Sequence, residues 1–145
     1  ELAVLGADLL RVELMDYVRG NLAPLPQDEA SVTYAHKIEK AEAEIKWNHS
    51  AVAIHNKVRA LVMGPGTYTS IGGKKIKIHK TQVNVSSGTQ TDCGLISEVN
   101  EHFISVKCSE GVLNILELQP ESRTRMSVRE FLKGHPLKIG DYFGN

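Results

Sequence analysis

Leu2, Leu5, Leu9 and Val12 recur at helical spacing, and Leu10, Leu14, Tyr17 and Val18 widen the stripe. That pattern predicts a helix over residues 1–19, closed by Gly20-Asn21 as a C-cap pair. So wide an apolar stripe needs a large surface to cover it, and residues 21–49 do not supply one. The helix therefore reads as a piece of another domain. Pro24 and Pro26 fix φ and remove donors, so residues 21–36 read as an extended linker. Residues 37–47 are charged, with Ile38, Ile45 and Trp47 as apolar anchors. Trp rarely stays exposed without a partner, so Trp47 and Ile45 are expected to be buried against the next helix or the sheet. Ser50 is a good N-cap for a second helix running to about Val62, with Val52, Ile54, Val58, Leu61 and Val62 as its apolar face. Gly64-Pro65-Gly66 breaks it.

From there the period changes to two. Residues 67–71 and 75–85 flank Gly72-Gly73, a two-residue hairpin signal. Residues 94–99 form a third strand, and 103–108 with 112–118 form another hairpin across Ser109-Glu110-Gly111. Ser127-Val128-Arg129-Glu130 is a capping box, so a short helix runs to about Lys133. Five or six short strands with a helix on either side predict a mainly β fold, a small β-barrel or curled sheet with flanking helices.

The 145 residues suffice for one ordinary domain, or a small domain with an attached piece. Hydrophobic residues at 41% and charged residues at 23% exclude a disordered chain. Seventeen basic and seventeen acidic residues exclude a uniformly basic protein. The zero balance hides an asymmetry: residues 45–91 contain no acid but carry Lys46, Lys57, Arg59, Lys74, Lys75, Lys77 and Lys80. Such a window suits a polyanion. On a strand, Lys75, Lys77 and His79 share one face while Ile76 and Ile78 point inward, with Lys74 at the turn. Cations along a strand make a track for a phosphate backbone. The competing reading is an edge strand guarded by lysines.

Other chemistry finds little support. Gly64-Pro65-Gly66 and Gly72-Gly73-Lys74 lack phosphate-loop spacing, since Lys75 follows Lys74 where Ser or Thr is needed. The six histidines show no metal-ligand spacing, and Cys93 and Cys108 read as small core residues. Ser86-Ser87 lies in a Ser/Gly/Thr loop with no base nearby in sequence. No nucleophile–base pair or carboxylate pair emerges, so neither a catalytic nor a metal site is expected. No apolar run approaches the length of a membrane span, and no signal peptide opens the chain. A first residue of Glu1 leads one to expect a longer parent protein.

Three ordered sets of residues now bear on function. Pro26-Gln27-Asp28-Glu29, Tyr34-Ala35, Lys37-Ile38 and Ile45-Lys46-Trp47 resemble the interdomain linker of the methionyl-tRNA formyltransferase family. Ile54-His55-Asn56-Lys57-Val58-Arg59-Ala60-Leu61 and Pro65-Gly66-Thr67-Tyr68-Thr69 resemble the opening of its C-terminal domain. Leu118-Gln119-Pro120-Glu121, Arg125-Met126-Ser127, Phe131-Leu132 and Gly140-Asp141 resemble its end. The resemblance implies a cytoplasmic enzyme of translation initiation that formylates methionyl initiator tRNA from 10-formyltetrahydrofolate. It also implies a layout: residues 1–20 as the last helix of an N-terminal catalytic domain, 21–46 as linker, and 47–145 as an oligonucleotide-binding-like β-barrel that helps hold tRNA. The family's catalytic Asn, His and Asp and its folate loop have no counterpart here. No catalytic or cofactor-binding residue carries over, and the chain alone is expected to transfer no formyl group. By resemblance, tRNA contact falls on Lys37 and Lys40, and then on Arg59, Lys74, Lys75, Lys77 and Lys80. Two alternatives remain. A sugar-nucleotide N-formyltransferase would use the same domain structurally, although Gln119-Pro120-Glu121 and Met126-Ser127 look like the tRNA enzyme. An unrelated nucleic-acid-binding barrel would need exposed aromatics for base stacking, and the chain has few.

Overall fold

The computed structural model describes residues 1–89 and 91–144. They form two compact units, Glu1–Lys37 and Ile38–Asn145. In the first, α1 spans Leu2–Val18. Gly20 ends it with φ of 78°, and the Asn21 N–H donates to the Asp16 carbonyl at 2.9 Å. The apolar residues of α1 stay exposed, Leu2 at 85% and Leu9 at 65%. The following prolines lead into a short 3₁₀ turn at Glu29–Ser31, where Asp28 accepts from the Ala30 N–H and the Ser31 hydroxyl.

The second unit has six strands among its described residues: β1 Thr67–Ile71, β2 Lys74–Thr89, β3 Ile96–Val99, β4 Ile104–Lys107, β5 Glu110–Pro120 and β6 Met126–Ser127. All pair antiparallel in the order β1-β2-β5-β4-β3, with β6 beside β5. The β1–β2 hairpin turns on Gly72 and Gly73, with φ of 53° and 74°. A two-residue turn of this hand needs positive φ at both positions, which glycine adopts without steric cost. β2 continues past the expected residue 85, through Ser86 and Ser87, to Thr89 opposite Glu110.

Among the described residues no ladder joins β1 to β3, so strand pairing alone does not close a barrel. The C-terminal segment bridges the gap instead. Phe143 N–H donates to the Gly94 carbonyl and Ile96 N–H to the Asp141 carbonyl, while Gly144 N–H reaches the Ser70 carbonyl of β1 at 2.8 Å. The edge of β1 also receives the chain at Glu44–Ile45, where the Ile45 N–H donates to the Tyr68 carbonyl.

Helix α2, Ala51–Leu61, lies against β2 and β5. Ser50 caps it by accepting from the Ala53 N–H. Its buried residues are Ala51, Ile54, Val58 and Leu61, whereas Val52 and Val62 are exposed. The expected face is corrected accordingly: Val52 is turned about 100° from Ala51, and Val62 is the C-cap, past the last helical residue. Helix α3, Val128–Gly134, starts on the expected box: Ser127 accepts from the Glu130 N–H, and Glu130 accepts from the Ser127 N–H. Ile45 and Trp47 are buried, as their isolation in a charged stretch predicts. Trp47 donates from Nε1 to the Thr69 hydroxyl at 3.0 Å and stacks on Phe143 at 5.8 Å.

Cys108 is fully buried in this core, and burial pushes its thiol up to about 12. The nucleophile is the thiolate, so native protein should resist iodoacetamide at Cys108 near about pH 8 and react there after denaturation. Mass spectrometry of the two samples checks this. Equal labelling would contradict the burial.

Candidate functional site

β2 carries the site because of where it lies in the sheet. It lies between β1 and β5 in the strand order, pairing with β1 over residues 74–78 and with β5 from Ile76 onward, so residues 76–78 are paired on both sides. That removes the edge-guard reading for Lys77, since a backbone paired on both sides has no open edge to protect, whereas Lys74 and Lys75 face β1 alone and Lys80 faces β5 alone. Ile76 and Ile78 are buried, and Lys74, Lys75 and Lys77 are exposed. Strict alternation would turn Lys80 inward. Instead the register shifts on both sides of Lys80, which faces Glu117 while Thr81 faces Ile115. The irregularity moves Thr81 into the buried set and leaves Lys80 exposed.

The lysines differ in their partners. Lys75 holds its Nζ 3.6 Å from the centroid of the Tyr68 ring, a cation–π contact across the β1–β2 hairpin. Lys80 lies 3.8 Å from Glu117, which also takes Arg125 at 2.6 Å. Lys46 pairs with Glu44 at 2.8 Å, and Lys57 donates to the Glu44 backbone carbonyl at 2.8 Å. Lys46 and Lys57 therefore brace the segment entering the sheet. The window 45–91 is acid-free in sequence but meets Glu44 and Glu117 in space.

Two adjoining grooves bring Lys74, Lys75 and Lys77 together with Arg123. The larger, about 710 Å³, has Lys74 and Lys75 on one side and Arg123 and His135 among its other lining residues. The smaller, about 240 Å³, is lined by Lys75, Lys77 and Gln119, and both share Pro120, Glu121 and Ser122. The structure thus brings Lys74, Lys75 and Lys77 together. Lys40, Arg59 and Lys80 line neither groove among the described residues. Lys37 ends the first unit, Lys40 starts a 3₁₀ turn in the second, and Arg59 sits exposed near the end of α2.

Arg123 and Tyr68 escape a search for acid-free basic windows, because Arg123 lies beyond residue 91 in a mixed-charge stretch and Tyr68 carries no charge. His79 Nε2 meets Gln119 Oε1 at 2.9 Å, and Gln119 Nε2 donates to the Arg123 carbonyl at 2.7 Å. This chain of bonds ties the turn at 120–123 to β2. His55 Nδ1 shares a hydrogen bond with the Thr81 hydroxyl at 2.8 Å, and burial, then the Arg59 charge, holds it below its ordinary value. The Thr81 hydroxyl beside His55 is buried, and no group of three or more potential metal ligands occurs among the described residues.

Comparison with known proteins bears on this arrangement. The family model described as formyl transferase, C-terminal domain, matches residues 37–136. The chain belongs to that family. Formyl transferase C-terminal domains akin to it occur in proteins named methionyl-tRNA formyltransferase. The one from Bdellovibrio bacteriovorus is 57% identical over 99% of this chain and 46% of its own length. Those from Caldicellulosiruptor saccharolyticus and Myxococcus xanthus are 40% and 36% identical, each over 97% of this chain and under half of their own length. The chain therefore spans about half the length of the curated relatives it matches. Among solved structures, a HypX variant from Aquifex aeolicus superposes with a TM-score of 0.58 at 18% identity, over 95% of this chain and 26% of that one. HypX in complex with tetrahydrofolic acid gives 0.54 at 18%, over 96% and 28%. At that identity the likeness is one of fold. Among the described residues no helix is long and apolar enough to cross a membrane.

Proposed function

We propose that the chain is the tRNA-holding C-terminal part of a cytoplasmic methionyl-tRNA formyltransferase. Such an enzyme moves a formyl group from 10-formyltetrahydrofolate to the amino group of methionine on initiator tRNA. One observation carries the reading: 57% identity to a protein of that name runs through 99% of the chain, so it also takes in α1 and the linker outside residues 37–136. The sugar-nucleotide alternative gains no support from these relatives. In this reading residues 1–20 end a catalytic domain, 21–46 link it to the rest, and 47–145 meet tRNA. The exposed apolar residues of α1 suit a helix that a catalytic domain would cover. Lys74, Lys75 and Lys77 meet the phosphate backbone, Lys40, Arg59 and Lys80 add contacts from the same unit, and Lys37 adds one from the first unit. Lys80 contributes least, because Glu117 already faces it.

The chain should bind tRNA and, given 10-formyltetrahydrofolate and methionyl initiator tRNA, make no formylmethionine. Grafted in place of the matching 46% of the Bdellovibrio enzyme, it should support tRNA formylation. A folded chimera that retains folate binding but cannot formylate tRNA would overturn the reading.

A further inference from the structure

The larger groove holds more than a phosphate track requires. Lys46, Lys80, Lys107, Arg125 and Arg129 each have a carboxylate within ion-pair distance. Among the described residues no such pair involves Lys74, Lys75, Lys77 or Arg123, which are the cations lining the two grooves. Behind this cationic rim the wall is apolar, with Ile71, Pro120 and Leu137. At one side Phe131, almost fully buried, stacks on His135 with ring centroids 4.7 Å apart and planes 3° from parallel. Phe131 thus fixes one face of the imidazole, while His135 remains exposed and lines the groove. Aromatic faces held in this way are platforms for nucleobases. Glu121 adds an acceptor, which suits an exocyclic amine and opposes a bare anion.

The rim is also held in place. The Arg123 N–H donates to the Pro120 carbonyl at 3.2 Å, and Ser122 sits at φ 59°, a conformation that non-glycine residues rarely adopt. Strain of this kind persists where surroundings over-determine it, often at ligand sites.

We propose that this groove binds one nucleoside monophosphate unit. Its base lies against His135, and its phosphate is held among Lys74, Lys75 and Arg123. The source is an unpaired nucleotide of bound RNA or a free nucleotide. The first source rests on the tRNA reading above; the site itself does not.

The test is an NMR titration of the 145-residue chain with CMP, AMP and inorganic phosphate, followed by tRNA. Both nucleotides should shift the His135 ring and Leu137 methyl signals, and phosphate should leave these unmoved. His135→Ala should weaken CMP about tenfold and phosphate not at all, while His135→Phe, which keeps a ring, should restore CMP binding. Arg123→Ala should weaken both ligands. Equal CMP affinity for wild type and His135→Ala, or identical shifts from CMP and phosphate, would overturn the site. Prebound tRNA should block CMP if the source is RNA. If CMP binds unhindered, the site takes a free nucleotide. Loss of tRNA affinity on removing Lys75 and Lys77, with a negative CMP result, would sink the groove proposal and leave the tRNA reading standing. The His135 variants should fold, because that side chain is exposed and its N–H bond to the Phe131 carbonyl is main-chain.

Discussion

Replacing Trp47 by Ala is expected to remove about 3–5 kcal/mol of unfolding free energy. The indole is the only Trp in the chain, is buried, stacks on Phe143, and donates to a Thr69 hydroxyl that is itself 2% exposed. Truncation leaves a cavity and an unpaired buried hydroxyl together, two costs that add. It also loosens the segment that bridges β3 to β1. Gly94 tests the same junction from the other side. A Cβ there would lie 2.5 Å from the Phe143 carbonyl oxygen, and φ is 91°. Neither the backbone oxygen nor the φ can relax cheaply, so Gly94→Ala should destabilise comparably. With a urea m-value of about 1–3 kcal/mol/M, the Trp47→Ala midpoint should fall by at least about 1 M. Circular dichroism reads this without the lost fluorophore. A Trp47→Ala variant within about 1 kcal/mol of wild type would mean that the C-terminal segment does not need this anchor.

That anchor shows what a single sequence reveals and what it withholds. Trp47 stands alone among charges, so its burial follows from residue chemistry. The Gly72-Gly73 turn follows from φ, and the Ser127–Glu130 box from the geometry of a helix start. Each is a local cause. The site depends on non-local ones. Lys80 faces outward because the pairing of β2 with β5 shifts register there, and nothing within the run from Lys75 to Thr81 signals the shift. Lys77 looks like part of a guarded edge until β1 and β5 are seen on either side of it. Arg123 and His135 join the lysines only through the fold of β5, β6 and α3. Gly140-Asp141-Tyr142-Phe143-Gly144 has no strand periodicity, yet it spans the two sheet edges by backbone hydrogen bonds.

Removing the charges of Lys75 and Lys77 together should change tRNA binding by more than any other surface substitution in this chain. Lysines meet phosphates without reading bases, so the loss should be alike for all tRNAs. If three or four of Lys74, Lys75, Lys77, Arg59 and Arg123 each neutralise one phosphate, log K falls with log salt at a slope of roughly −3. Affinity then drops about 40- to 150-fold between roughly 50 and 200 mM salt. The Lys75→Ala, Lys77→Ala double variant should flatten the slope by about 1.8 units, one contact for each missing charge. The fold should survive. Both side chains are exposed, Lys77 is paired on both sides, and the lost Lys75–Tyr68 contact is worth about 0.5–1 kcal/mol at such a site. Thermal melting alongside the salt titration separates lost binding from lost structure. Coincident slopes for wild type and variant would remove β2 from the interface. The phosphate contacts would then have to come from Lys37, Lys40 and Arg59, whose own substitution should flatten the slope instead.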